Sequence, residues 1–301
     1  MIASHAALDE TSLRQMMEIG PVWASDILKH RDVVLSAYGP ALERAPKGGS
    51  TVTRDIPYGS HARQVLDCFV PDGATNAPVA IFVHGGAFVH GDKRLSSEVY
   101  DNVLYWFAGQ GFIGINTEYR LAPESSWPGG ADDLSLAIAW VRANVTRLGG
   151  DAGSIFAIGH SAGSTHVGTY AYDPAAGYLG QGLTGVVLLS PRLRADVLPE
   201  NPFAENVRAY FGDDASLYEA RSPLTHADAS ALPVMIAIAE FENPLLDLYG
   251  LELAHRIAAA RRWAPRFVRL AGHNHTSLIA HFNTIEDRLG REIVEFTRRL
   301  V

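Results

Sequence analysis

A single cysteine, Cys68, stands in 301 residues, so no disulfide can close within the chain and an oxidising compartment is not indicated. Positive charge is in the minority. Lys and Arg number 25 against 33 Asp and Glu, a formal net charge of −8, and no basic stripe suits a nucleic-acid partner. No apolar run approaches the ~18 residues of a membrane span. The N-terminus has neither the basic nor the apolar stretch of a secretory leader. Internal repeats and low-complexity linkers are also missing. These absences lead to the expectation of a cytoplasmic globule with neither a nucleic-acid nor a membrane partner.

What is present suits a sizeable core: 47% of the residues are hydrophobic. Short apolar, β-branched runs recur at 51–57, 65–70, 79–83, 112–116, 155–159, 186–190, 234–239 and 266–270. Stretches 96–109, 131–148, 248–262 and 285–300 carry apolar residues at helical spacing. Strands buried on both faces and alternating with helices predict an α/β fold with a mostly parallel sheet covered on both sides. The loop between the first two strands is too short for a crossover helix, which predicts an antiparallel pair there. Residues 1–48 read as two or three amphipathic helices broken at Gly20-Pro21, forming a small N-terminal helical cap. Residues 49–301 then form the main domain, with the Pro-rich, charged stretch 191–232 as a candidate lid.

Two strand ends carry chemistry. Residues 155–163 read IFAIGHSAG, a strand running straight into Gly-x-Ser-x-Gly. A turn that sharp forces its serine into strained backbone angles and leaves no room for side chains two residues either side. It presents the Ser161 hydroxyl and the Ala162 N–H at a helix start. Residues 79–88 end a second strand with His84-Gly85-Gly86. Without side chains, the Gly85 and Gly86 amides can approach a substrate oxygen and, with Ala162, form an oxyanion hole. His84 is expected to brace the loop.

The motifs HGGAF, YRLAPE with Trp127-Pro128, GGD at 149–151 and GHSAG run in the order of the hormone-sensitive-lipase-like branch of the α/β-hydrolase superfamily, which the chain resembles from about residue 50 onward. It departs from that branch at Ala87, where a third glycine is common, and at His160, where an aspartate often stands. HGG with GHSAG is also similar to kynurenine formamidases. The resemblance implies an eight-stranded α/β-hydrolase fold, a nucleophile–acid–histidine chain order and no cofactor or metal.

The base is expected after the last strand, where 271–277 read AGHNHTS. The family's G-x-x-H pattern points from Gly272 to His275, leaving His273 as a neighbour. A zinc reading of His273, His275 and His281 finds no partner at a recognised ligand spacing. The orienting acid should leave the preceding strand at once, and AEFENPLLD at 239–247 offers three carboxylates. Glu242, two residues before Pro244, matches the register where related families carry aspartate. Asp247, in the following helix, is the alternative, and Glu240 is expected to face elsewhere.

The expected activity is a serine carboxylesterase on small esters with the triad Ser161, His275 and Glu242. The runner-up is an arylformamidase acting on N-formyl aromatic amines. A non-catalytic ligand receptor is the contrasting class, but such a chain would lack one of these roles. Phe88, Trp127 and His160 are candidate substrate-binding residues, with Trp23 a further aromatic candidate. The final helix or an edge strand is a candidate homodimer contact.

Overall fold

Val79, Ile81 and Val83 alternate with Ala80 and Phe82 along a run buried on both sides, the pattern of a strand at the centre of a covered sheet. The computed structural model describes residues 7–301, so the first six residues of the 1–48 segment lie outside it. The described residues form eight strands: β1 Ser50–Pro57, β2 Val65–Pro71, β3 Ala77–Val83, β4 Ile113–Thr117, β5 Gly150–His160, β6 Gly185–Leu189, β7 Val234–Phe241 and β8 Arg266–Asn274. They form one sheet in the order β1-β2-β4-β3-β5-β6-β7-β8. Only β2 runs against its neighbours, pairing antiparallel with both β1 and β4. The other pairs are parallel.

The helices are α1 Glu10–Ile19, α2 Ile27–Glu43, α3 Asp101–Gly109, α4 Gly129–Asn144, α5 Ala162–Tyr172, α6 Ala204–Phe211, α7 Tyr218–Arg221, α8 Leu246–Arg261, α9 Ser277–Ala280 and α10 Arg288–Arg298. On one sheet face Phe82, Phe156 and Leu270 pack with Phe107, Phe282 and Ile293. On the other, Ile81, Ala157 and Val186 pack with Leu134, Tyr170 and Leu253. Each fully buried large side chain contributes about 1.5–3 kcal/mol.

Where element ends differ from the sequence expectation, local hydrogen bonds explain it. The helix expected from residue 96 starts at Asp101, because Ser96 Oγ accepts from the Glu98 and Val99 amides in a turn. The strand expected to stop at 270 continues to Asn274, since β8 re-pairs Asn274 with Phe241 beyond a bulge between Ala239 and Phe241. Helix α1 ends at Ile19, ahead of Gly20-Pro21, and the Phe241 ring packs against Gly20, where an added Cβ would sit 2.5 Å from the ring.

Register then fixes the site. Val83 is level with Gly159, His160 with Leu189, Leu189 with Ala237, and Phe241 with Asn274. Parallel strands share one C-terminal edge, where open α/β sheets bind their ligands. His84-Gly85-Gly86, Ser161, Glu242 and His275 therefore leave the sheet on the same side.

Candidate active site

Ser161 sits between β5 and α5 with φ 56° and ψ −119°, a sparsely populated conformation that costs about 1–3 kcal/mol. Its surroundings hold it there. The Ser161 N–H donates to Leu189 O at 3.0 Å, and Ser161 O accepts from Ser164 N at 3.0 Å and Arg192 N at 3.3 Å. The flanking glycines are required by close approach: a Cβ on Gly159 would lie 2.6 Å from Gly163 O, and one on Gly163 would lie 2.1 Å from Val83 O.

The Gly85-Gly86 loop passes beside this serine, with the Gly85 Cβ position 3.0 Å from Ser161 Cβ. Gly86 has φ 143°, and a side chain there would run into His90 O. Ala87, in the place of the third glycine, accepts a positive φ of 48°. His84 braces the loop: Nδ1 bonds Gly85 O at 2.6 Å and Nε2 bonds Glu118 Oε1 at 2.8 Å. Glu118 also accepts from the Lys93 amide at 3.0 Å and from Arg63. Burial works to raise its carboxyl, but the His84 hydrogen bond and charge, with Lys93 and Arg63, outweigh this and hold it below the usual carboxylate range. The sequence reading passed over Glu118, although it directly precedes the YRLAPE motif at the end of β4.

His275 follows β8 and is tied by its amide to Phe241 O at 3.1 Å. Its Nδ1 bonds Glu242 Oε2 at 2.8 Å. The other carboxylate oxygen, Oε1, accepts from Ala239 N at 2.7 Å and Ser190 Oγ at 2.5 Å, so the carboxylate's position is fixed from two strands. The neighbouring acids are engaged elsewhere. Glu240 accepts from Gly272 N and Arg269, and Asp247 Oδ1 accepts from the Leu248 amide in the exposed first turn of α8. His273 bonds Ser277 Oγ at 3.2 Å and Glu286 at 2.9 Å, and His281 Nδ1 donates to Ser277 O. Among the described residues no three ligand-type side chains gather in a way that could hold a metal.

Ser161, His275, Gly85, Gly86 and His160 line one cavity of about 160 Å³. Among the described residues the His275 ring makes its one hydrogen bond to Glu242, leaving Nε2 uncommitted within the same cavity wall. The Gly86 amide donates to no backbone acceptor in the described loops and turns, while the Gly85 amide faces the Tyr100 hydroxyl on the same cavity wall. His160 is buried, and its Nε2 donates to His275 O at 3.1 Å while Nδ1 has no partner among the described residues. Burial first, and then the nearby His275, drive its pKa well below the ordinary histidine range, so it stays neutral.

The aromatic candidates are placed differently. Phe88 is not on the cavity wall; it is buried in a separate cluster and stacked on Tyr210 with ring centroids 4.7 Å apart. Trp127 packs against that cluster, with the Arg221 guanidinium 5.0 Å over its ring. Trp23 is buried too, but its Nε1 donates at 2.8 Å to Asn243, which does line the cavity. The wall is completed from both irregular segments: Ile27, Leu28 and Arg31 come from α2, and Phe203 from the 191–232 stretch.

A mostly parallel sheet in this order, with a strained serine after β5 and a histidine–carboxylate pair after β8 and β7, defines an α/β hydrolase. A family model described as BD-FAE matches residues 66–172. Esterase LipQ of Mycobacterium tuberculosis is 30% identical over 296 residues, covering 82% of this chain and 68% of LipQ. Esterase LipC of the same organism is 39% identical over 152 residues, 46% of this chain and 37% of LipC. The human bile salt-activated lipase is 30% identical over 67% of this chain and 29% of its own length. The chain thus spans about a third of the length of the last two. Its fold is similar to that of bacterial heroin esterase, with TM-score 0.72, 22% identity and coverage of 99% and 100% of the two chains. Esterase B of Lactobacillus rhamnosis, in an inhibited form, superposes with TM-score 0.74 at 18% identity over 95% and 96% of the chains. The chain belongs to the α/β-hydrolase esterase family that includes LipQ.

Proposed function

We propose that this chain is a serine carboxylesterase that works through an acyl-enzyme. His275 removes the Ser161 proton as the hydroxyl attacks the ester carbonyl, and Glu242 holds the imidazole in the required tautomer and favours its charged form. The amides of Gly85, Gly86 and Ala162 receive the developing oxyanion, where each donor is worth roughly 3–4 kcal/mol. His275 then protonates the leaving alcohol, and a water activated by the same ring releases the acid. Neither a metal nor an organic cofactor enters these steps.

The observation that carries this reading is the 2.8 Å pair of His275 and Glu242 on the cavity that the strained Ser161 also lines. The esterase names of LipQ and LipC support an ester over an aryl formamide. The test is a panel of 4-nitrophenyl esters beside an N-formyl aromatic amine. Ester turnover is expected to dominate and to vanish in Ser161→Ala with the circular dichroism spectrum unchanged. Near-wild-type turnover in that variant would overturn the proposal.

A further inference from the structure

Among the described residues Arg192 is the one buried guanidinium on the wall of the catalytic cavity, and its backbone is tied to the nucleophile. Its backbone N–H donates to Ser161 O at 3.3 Å, and its carbonyl accepts from Thr165 Oγ1 of α5. The residue is only 2% exposed. Its Nη1 donates to Asp196 at 3.2 Å, whereas Nη2 has no acceptor among the described residues. Asp196 cannot readily turn to serve it, because the same Oδ2 accepts from the Tyr249 hydroxyl at 2.7 Å and Oδ1 accepts from the Leu198 amide. A second guanidinium, Arg31 on α2, lines the same cavity, partly exposed and paired with its neighbour Asp32 at 3.0 Å. Much of the remaining wall is apolar, with Ile27, Leu28, Leu95 and Ile279.

A purely hydrocarbon ester would leave the Nη2 donor unmatched behind the wall that Arg192 forms. A buried donor favours a ligand that supplies its acceptor and discriminates against one that does not. Resting on the esterase reading of Ser161, we propose that Arg192, with Arg31 on the same cavity wall, forms a second recognition point beside the scissile carbonyl. The preferred substrates are then esters whose acyl or alcohol part carries another acceptor oxygen. A carboxylate is the strongest form, because its hydrogen bond to a guanidinium is charge-assisted. Asp196 holds the other arm of the Arg192 fork, and Nη2, closed off from solvent, turns toward the cavity to meet the incoming oxygen.

The experiment compares kcat/KM for two series on the wild-type chain. On the acyl arm the 4-nitrophenyl esters of hexanoic acid, 5-oxohexanoic acid and glutaric acid are used. On the alcohol arm the butyrate esters of pentanol, 4-oxopentanol and 4-hydroxybutanoate are used. In at least one series the acceptor-bearing members are expected to exceed the hydrocarbon member by about tenfold or more, the carboxylate leading. Arg192→Met is expected to reduce that ratio by about tenfold, mainly through KM. Because this change strands Asp196 in the interior, Arg192→Met/Asp196→Asn is measured beside it and should show the same collapse. Equal rates across both series, or a preference that survives in both variants, would overturn the proposal. A wild-type chain that turns over no ester in either series would instead remove the esterase reading on which it rests.

Discussion

At the scale of single residues, the proposed mechanism depends on which of three clustered acids orients His275. Glu242→Gln keeps the side-chain shape but weakens the preference for the required tautomer, and a fall in kcat of about 10²–10⁴-fold is expected. Asp247→Asn is expected to stay within about twofold of wild type, since Asp247 bonds only its own helix start. Steady-state kinetics on one ester decides between them, and a larger loss at Asp247 would reverse the assignment. A second expectation concerns the loop: Gly86→Ala should lower kcat sharply, because its Cβ would collide with His90 O and push the Gly86 amide away. Ser161 and the two glycine pairs were legible because the turn and the close approach dictate residue type. Glu118 was not, because a buried carboxylate is defined by partners that come from β3 and from distant loops. Glu242 stood between. Its place before Pro244 pointed to it, but the bulge at Ala239/Phe241 that brings Phe241 level with Asn274 leaves no local sequence pattern.

At the scale of elements, the strands were legible from their doubly buried apolar runs, whereas the surface-crossing segments were not. Neither the 1–48 nor the 191–232 stretch announces which face it covers, and each contributes to the cavity wall through a few side chains, Ile27, Leu28 and Arg31 in one and Phe203 in the other. Aromatic identity misled in the same way. Phe88 suggests a pocket residue until Tyr210 of α6, more than a hundred residues later, is brought to stack on it. The tie between α2's approach and the site is the buried hydrogen bond from Trp23 to Asn243, next to Glu242. Trp23→Phe removes the indole N–H, leaves Asn243 Oδ1 unpaired and opens a small void where the larger ring packed. A stability loss of about 1–3 kcal/mol is expected by urea unfolding, with KM raised more than kcat is lowered. An unchanged KM would mean that this bond serves folding alone.

At the scale of the whole molecule, two buried histidines away from the catalytic pair tie stability to pH. Burial, reinforced by His84 for His166 and by His273 for His281, pushes each pKa down to about 3 from 6.5. The unfolded chain therefore takes up protons first as the pH falls. The stability they contribute is fully present above about pH 6.5 and is lost progressively toward pH 3. Each is worth roughly 2–3 kcal/mol between pH 7 and 4.5. Urea midpoints should fall over that interval, and His281→Gln should flatten the fall. A slope unaltered by that substitution would place the acid sensitivity elsewhere. The last helix is not available as an apolar dimer face, since Leu289, Ile293 and Phe296 of α10 are buried in the chain's own core and Gly290 lies against Trp106. Among the described helices none is long and apolar enough to cross a membrane.

In the proposed mechanism His275, oriented by Glu242, makes Ser161 a nucleophile. Its most direct test is labelling with a fluorophosphonate followed by peptide mass spectrometry. One adduct per chain is expected, on Ser161, formed far more slowly in His275→Ala. An unlabelled wild-type chain, an adduct on another residue, or labelling of His275→Ala at the wild-type rate would contradict it.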